Sequence, residues 1–411
     1  MVIDAADTAW VMISTALVML MTPGVALFYA GMVRRKNVLS TIMMSFIMLA
    51  LVALLWVLYG YSLSFGPDKG GVIGGLEWIG LRQVGQEPSS AYASTVPHLA
   101  FMIFQAMFAV ITVALITGAV VERIKFSAFL AFAALWLTLV YCPVAHWVWG
   151  VGGWLAKLGA LDFAGGTVVH VNAGLSALAL AVLLGPRRGF RDGEIMEPHS
   201  VPMVALGAGL LWFGWFGFNA GSALTSGGLA VSAFVATNTS AAAAAFTWMV
   251  LGWLHRRPSV LGAATGAVAG LVAITPAAGF VPPLAAIPIG MVAAVICYYC
   301  MLFRTRRHID ESLDVWAVHG MGGIWGALAT GIFASAAVNS VGADGLLLGN
   351  ALQFGKQIVA IAAVGAFAFC ATLVLGKIVD LTIGLRVGQT EETVGLDVSE
   401  HGERAYGGML P

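Results

Sequence analysis

Residues 198–255 run for 58 positions without a single Lys, Arg, Asp or Glu, and residues 258–303 run for 46. Seven further charge-free stretches cover 8–33, 37–67, 88–121, 126–156, 163–186, 315–343 and 357–376. A helix needs about 20 apolar residues to cross a bilayer, so the seven hold one span each and the two longest hold two. The 58-residue run breaks at Ser222–Gly228, and the 46-residue run breaks between Thr275 and Pro283, where prolines and Gly279 interrupt a helix. The expected fold is an all-α polytopic membrane protein with eleven transmembrane helices. Charged residues make up 10% of the chain against roughly 25% in soluble domains, which excludes a water-soluble protein. Twenty basic residues balance twenty acidic ones without a basic patch, so nucleic acid is not the partner.

Lys and Arg near span ends stay cytoplasmic. With the N-terminus outside, cytoplasmic segments hold Arg34, Arg35, Lys36, Arg123, Lys125, Arg187, Arg188, Arg191, Arg256, Arg257, Arg304, Arg306 and Arg307. Lys377, Arg386 and Arg404 join them, and an odd number of spans leaves the C-terminus cytoplasmic. The first run is preceded by Asp4 and Asp7 and no basic leader, so it reads as a true first span. Asp162 precedes His170 by eight positions in the fifth span, and Glu311 precedes His319 by eight in the tenth. Phe28-Tyr-Ala-Gly31 and Phe218-Asn-Ala-Gly221 agree weakly in spans one and six. A five-plus-five repeat of odd halves is inverted and places a site near the midplane, with the eleventh helix outside the pair.

Eight residues at 1.5 Å each put either histidine about 12 Å in from opposite faces, so the two depths differ by only about 6 Å in a 30 Å core. Ionisable groups at such depth usually line a pathway. Phe104, Trp149 and Ser222 share a shallower level on the outer side, and Phe108 and Phe218 lie one turn deeper. Aromatic faces with one hydroxyl attract a small cation. A phenylalanine plug gives that cation no ligands, and a titratable ion then sheds its proton. Potassium has none to shed, so the stack suits ammonium. Histidines below it can hydrogen-bond ammonia and carry protons.

At these residues the chain resembles the Amt/Mep/Rh ammonium transporter family, in its bacterial Amt branch. The motifs are TPGVALFYAGMVRRKN over Thr22–Asn37, FQAMF over Phe104–Phe108, DFAGGTVVHVNA over Asp162–Ala173 and GWFGFNAGS over Gly214–Ser222. VHGMGG over Val318–Gly323 and GLDVSEHGERAY over Gly395–Tyr406 complete the set. The resemblance implies the ammonium transporter fold in the inner membrane, assembled as a homotrimer with one pore per subunit. It also implies an outer NH4+ recruitment site of Phe104, Trp149 and Ser222, a gate of Phe108 and Phe218, and a pore and proton relay of His170 and His319. Asp162 and Glu311 are then expected to support the vestibule, Glu311 at a position often Asp in relatives. A PII-type signal protein on the cytoplasmic face is the implied partner, and methylammonium a second candidate cargo.

The organisation expected is a transporter domain over residues 1–385 and a cytoplasmic tail over 386–411. Within the first, 1–161 and 162–186 form one half, 198–335 the other, and 355–385 the last helix. No nucleophile elbow, phosphate loop or zinc-protease motif occurs, so no enzyme and no cofactor are expected. Two histidines without a thiolate or carboxylate at their depth fall short of a zinc set, so no metal is expected either. Cys142, Cys297, Cys300 and Cys370 lie in apolar runs and read as packing residues, as do Gly262, Gly266 and Gly270. The alternative function is an ammonium sensor with little flux that signals through the tail.

Overall fold

The structure, a computed structural model, describes residues 2–255 and 257–407. Arg256 and the last four residues of the expected tail lie outside them. Eleven helices form the body among the described residues: α1 (Ala5–Met32), α2 (Arg35–Phe65), α3 (His98–Val120), α4 (Phe126–Trp149), α5 (Gly166–Leu184) and α6 (Val201–Ala220). They continue as α7 (Gly228–His255), α8 (Val260–Ile274), α9 (Ala286–Arg306), α10 (Trp316–Phe333) and α11 (Ala351–Thr382). Among the described residues nine helical stretches are long and apolar enough to cross a membrane, and α8 is a shorter apolar helix. Both long runs break across the expected segments: the helices stop at Ala220 and Ile274 and resume at Gly228 and Ala286, with 3₁₀ turns over Gly221–Ala223 and Pro283–Ala285 between them. Asp7 fixes the first break by accepting from the Ser226 amide at 2.8 Å.

Two antiparallel crossings build the centre. In the first, Gly24 and Gly31 of α1 and Gly207, Gly214 and Gly217 of α6 let the two backbones approach, with Gly24 against Gly207. A Cβ on Gly31 would strike Val204 and the Ser200 carbonyl, and one on Gly207 would strike the Phe28 backbone. In the second, α5 crosses α10, where a Cβ on Gly174 would strike the Gly320 backbone and one on Gly323 would lie 2.9 Å from the His170 Cβ. Small residues replace the hydrophobic drive that helices lack in lipid, because close backbones gain dispersion contact. The Gly262–Gly270 series packs α8 onto α7 in the same way, against Trp248, Ala244 and Ser240.

Short hairpins and loops cover the face that bears the N-terminus, here the N face. On the opposite, tail face, the basic loops converge. Glu122, held at a φ of 71°, accepts from the Arg34 amide at 2.7 Å and pairs with the Arg34 and Arg187 guanidiniums at 3.0 Å each. Arg187 also grips Asp310 at 2.8 Å. Burial alone would push both carboxyls up, yet the neighbouring guanidiniums hold Glu122 and Asp310 below the ordinary carboxylate range.

The tail folds back over this face through two short helices, α12 (Gln389–Val394) and α13 (Leu396–His401). Asp397 accepts from the Ser40 amide at 2.8 Å and Glu400 from the Phe126 amide at 3.0 Å, so one tail helix supplies carboxylates to the starts of both α2 and α4. Lys36 returns two bonds to the Glu392 and Thr393 carbonyls, where α12 ends.

Candidate functional site

A cavity of about 260 Å³ opens on the N face. Its walls include Tyr92, Phe101, Phe108, Trp149, Phe163 and Ser222. Trp149 ends α4, and its indole N–H donates to the Asp162 carbonyl at 2.9 Å, which fixes the ring against the wall. The Ser222 hydroxyl donates to the Phe218 carbonyl at 2.8 Å, leaving its lone pairs free for a cation. Phe104 does not line this cavity. It is fully buried, packs edge-on against Phe108 with centroids 4.9 Å apart, and reaches toward Gly221. Depth along the helix placed Phe104 at the right level, but its azimuth points away; Phe101, three residues earlier, faces the opening instead.

Below the cavity Phe108 and Phe218 stack, with centroids 4.3 Å apart and planes inclined by 29°. The next ring down is His170, 6.0 Å from Phe218 and nearly parallel to it. Trp215 flanks His170 at 5.5 Å, its own N–H taken by the Thr275 hydroxyl at 2.9 Å. His319 completes the column, with its Nδ1 3.3 Å from that of His170. Both histidines are buried, and the His170 Nε2 has no protein partner. Beyond His319 a small pocket of about 20 Å³ continues toward the tail face past Phe28, Tyr29 and Asp314.

The two histidines share a local backbone feature. The first turn of α5, Gly166–Val171, and that of α10, Trp316–Gly320, are both π-helical. An extra residue in a turn rotates the side chains that follow, and such turns concentrate at functional sites. Asp162 anchors the first of them: its carboxylate accepts from the amides of Gly165, Gly166, Thr167 and Val168 and from the Thr167 hydroxyl. Glu311 does the equivalent for α10 by accepting from the Trp316 amide at 3.2 Å. It therefore stands at the far end of the column from the vestibule and does not support it. The inversion of α10 relative to α5 puts their starts on opposite faces.

Several residues at the site carry no signal at helical spacing. Tyr92 comes from the loop before α3 and donates its hydroxyl to the Phe65 carbonyl at 2.7 Å, stacking on Phe101. Only the fold brings that loop over the mouth. Among the described residues no group of three or more His, Cys, Asp and Glu side chains converges as a metal site.

An apolar helical body with a closed column of aromatic and imidazole rings running between its faces defines a multi-pass membrane transport protein. The sequence profile of the Ammonium Transporter Family matches residues 9–406, and the chain belongs to that family. It is 56% identical to the ammonium transporter Amt1 of Archaeoglobus fulgidus over 400 residues, covering 97% of this chain and 99% of the relative. It is 53% identical to an ammonium transporter of Bacillus subtilis over 402 residues, 97% and 98% of the two chains. Among solved structures, Saccharomyces cerevisiae Mep2 superposes with a TM-score of 0.90 at 36% identity, covering 100% of this chain and 94% of that one.

Proposed function

We propose that this protein transports ammonium by recruiting NH4+ at the N-face cavity, removing a proton above the Phe108–Phe218 stack, and passing NH3 along the passage lined by His170 and His319. The observation that carries the reading is the order of the column: an aromatic cavity with one hydroxyl, then stacked phenyl rings, then paired imidazoles. Ring faces of Phe108 and Trp149 with the Ser222 oxygen attract a compact cation. The phenyl stack offers no ligand, so the ion that continues does so as a neutral molecule. Phe104 contributes from behind, by holding Phe108 in place.

The proton given up by ammonium crosses by way of the histidine pair, so each ammonia moves with one net charge. Neutral imidazoles joined through one Nδ1 hydrogen bond offer an Nε2 acceptor on one ring and an Nε2–H donor on the other, which suits both ammonia and a proton.

The basic loops gathered on the tail face favour a cytoplasmic tail face and an outward cavity, in the inner membrane. We read 1–385 as the transporter domain and 386–411 as the tail, the subunit as one third of a homotrimer, and the tail face as the docking surface for a PII-type protein. These assignments rest on the family resemblance, with the folded tail supporting the last.

The test is the transient current of proteoliposomes after an ammonium jump, with potassium and empty liposomes as controls. A saturating ammonium current without a potassium current is expected. Ammonia entry reported by an internal pH dye without current would mean a neutral-gas conductor, and neither signal would favour the sensor.

A further inference from the structure

The last span, α11, carries two glutamines four residues apart, Gln353 and Gln357, within a long apolar helix. Both are buried, at 1% and 0% exposure. A buried amide without partners costs about 1–3 kcal/mol, so their bonds matter. Gln357 fills all four of its hydrogen-bonding positions. Its Oε1 accepts from the Leu161 amide at 2.7 Å and from Gln353 Nε2 at 3.3 Å. Its Nε2 donates to the Leu161 carbonyl at 2.7 Å and to the Ala327 carbonyl at 3.2 Å. Gln353 adds a bond from its Nε2 to the Gly159 carbonyl at 3.0 Å.

What this amide grips gives it a role beyond packing. Leu161 directly precedes Asp162, whose carboxylate anchors the first turn of α5 and whose carbonyl holds the Trp149 indole. Ala327 lies on α10, eight residues and so about 12 Å beyond His319. One side chain on α11 thus joins the loop that seats Trp149, the start of the helix that carries His170, and the helix that carries His319. The imidazole contact at 3.3 Å is already at the long end of the hydrogen-bond range, so a slip of a few tenths of an ångström between α5 and α10 breaks it.

We infer that Gln357 is a positioning residue that sets the register of α5 against α10 and seats Trp149. The inference rests on the transport reading above. The register clamp acts through Leu161 and Ala327, and Gln357 itself touches no part of the passage.

The test uses the full chain in proteoliposomes with Gln357→Leu, Gln357→Glu and, as a control, Trp325→Phe, which deletes a part-buried bond of α10, to the Ile289 carbonyl at 2.9 Å. The readouts are half-saturating ammonium, saturating current, thermal unfolding, and amide hydrogen exchange at residues 165–168. Gln357→Leu is expected to lower the saturating current about tenfold or more, raise half-saturation and speed exchange at 165–168. Gln357→Glu keeps the acceptor for Leu161 and falls between it and the parent. Trp325→Phe lowers thermal stability while leaving current and exchange as in the parent. Unchanged current and half-saturation in Gln357→Leu, or losses matched by Trp325→Phe at equal thermal stability, overturn the inference. If Gln357→Leu does not survive purification, Gln357→Glu decides by the same comparison. If the parent carries no ammonium current, the transport reading fails by itself; exchange at 165–168 then decides the clamp, and unchanged protection in the variants sinks it.

Discussion

His170 and His319 face each other through their Nδ1 atoms at 3.3 Å, although 149 positions separate them in the chain. A single proton between two Nδ1 atoms forces opposite tautomers on the two rings. The pair is therefore polarised along the passage, with an acceptor toward one end and a donor toward the other.

Replacing His170 by Ala removes the polarised pair. The ammonium-driven current should fall at least about a hundredfold, the lower end of what a lost proton-transfer group costs. Recordings with ammonium and with potassium check this; an unchanged ammonium current with intact potassium exclusion would remove the relay.

Trp149 acts before the gate. Trp149→Leu deletes a cation-attracting face worth about 0.5–1 kcal/mol or more, so half-saturating ammonium should rise roughly two- to fivefold while the current at high ammonium changes little. A concentration series settles the point, since equal losses at low and high ammonium contradict recruitment.

At the α5–α10 crossing there is no room for a methyl group. Gly174→Ala places a Cβ against the Gly320 backbone, where no flexible side chain can yield, so the helices must separate. Overpacking of this kind costs about 1–3 kcal/mol. Thermal unfolding in detergent should drop, and the ammonium current should drop with it because the histidines move apart. Gly355→Ala on α11, where a Cβ meets open space, is the neutral control.

The Glu122–Arg187–Asp310 network predicts an acid limit. Both carboxyls lie lower in the folded protein than in the unfolded chain, so their contribution is complete above the unperturbed carboxylate range, about pH 4, and is lost as pH falls through the folded values. Glu122→Ala should remove its share of that pH dependence and destabilise the protein by about 1–3 kcal/mol, because Arg34 loses its close carboxylate and Arg187 keeps only Asp310. Unfolding curves at several pH values measure both effects.

Much of this architecture was legible in residue order. Charge-free runs located the helices and both uncharged breaks, because a bilayer penalises charge by depth. The same rise per residue brought His170 and His319 to similar depth. Rise carries no azimuth, however, so Phe104 was placed at the mouth while Phe101 faces it, and Glu311 was grouped with a vestibule that lies at the other end. The π-helical turns were invisible because no residue type specifies them. Gln353 and Gln357 were present as a signal, two amides four apart in an apolar helix, and went unread for want of a visible partner.

The carboxylates of Asp397 and Glu400 reach amides that left the ribosome more than two hundred residues earlier, at Ser40 and Phe126. Until Asp397 and Glu400 are made, the starts of α2 and α4 have only water or other groups to satisfy them. Synthesis of this segment is thus recorded in much earlier helices, and a product cut short before Asp397 differs at the tail face of both.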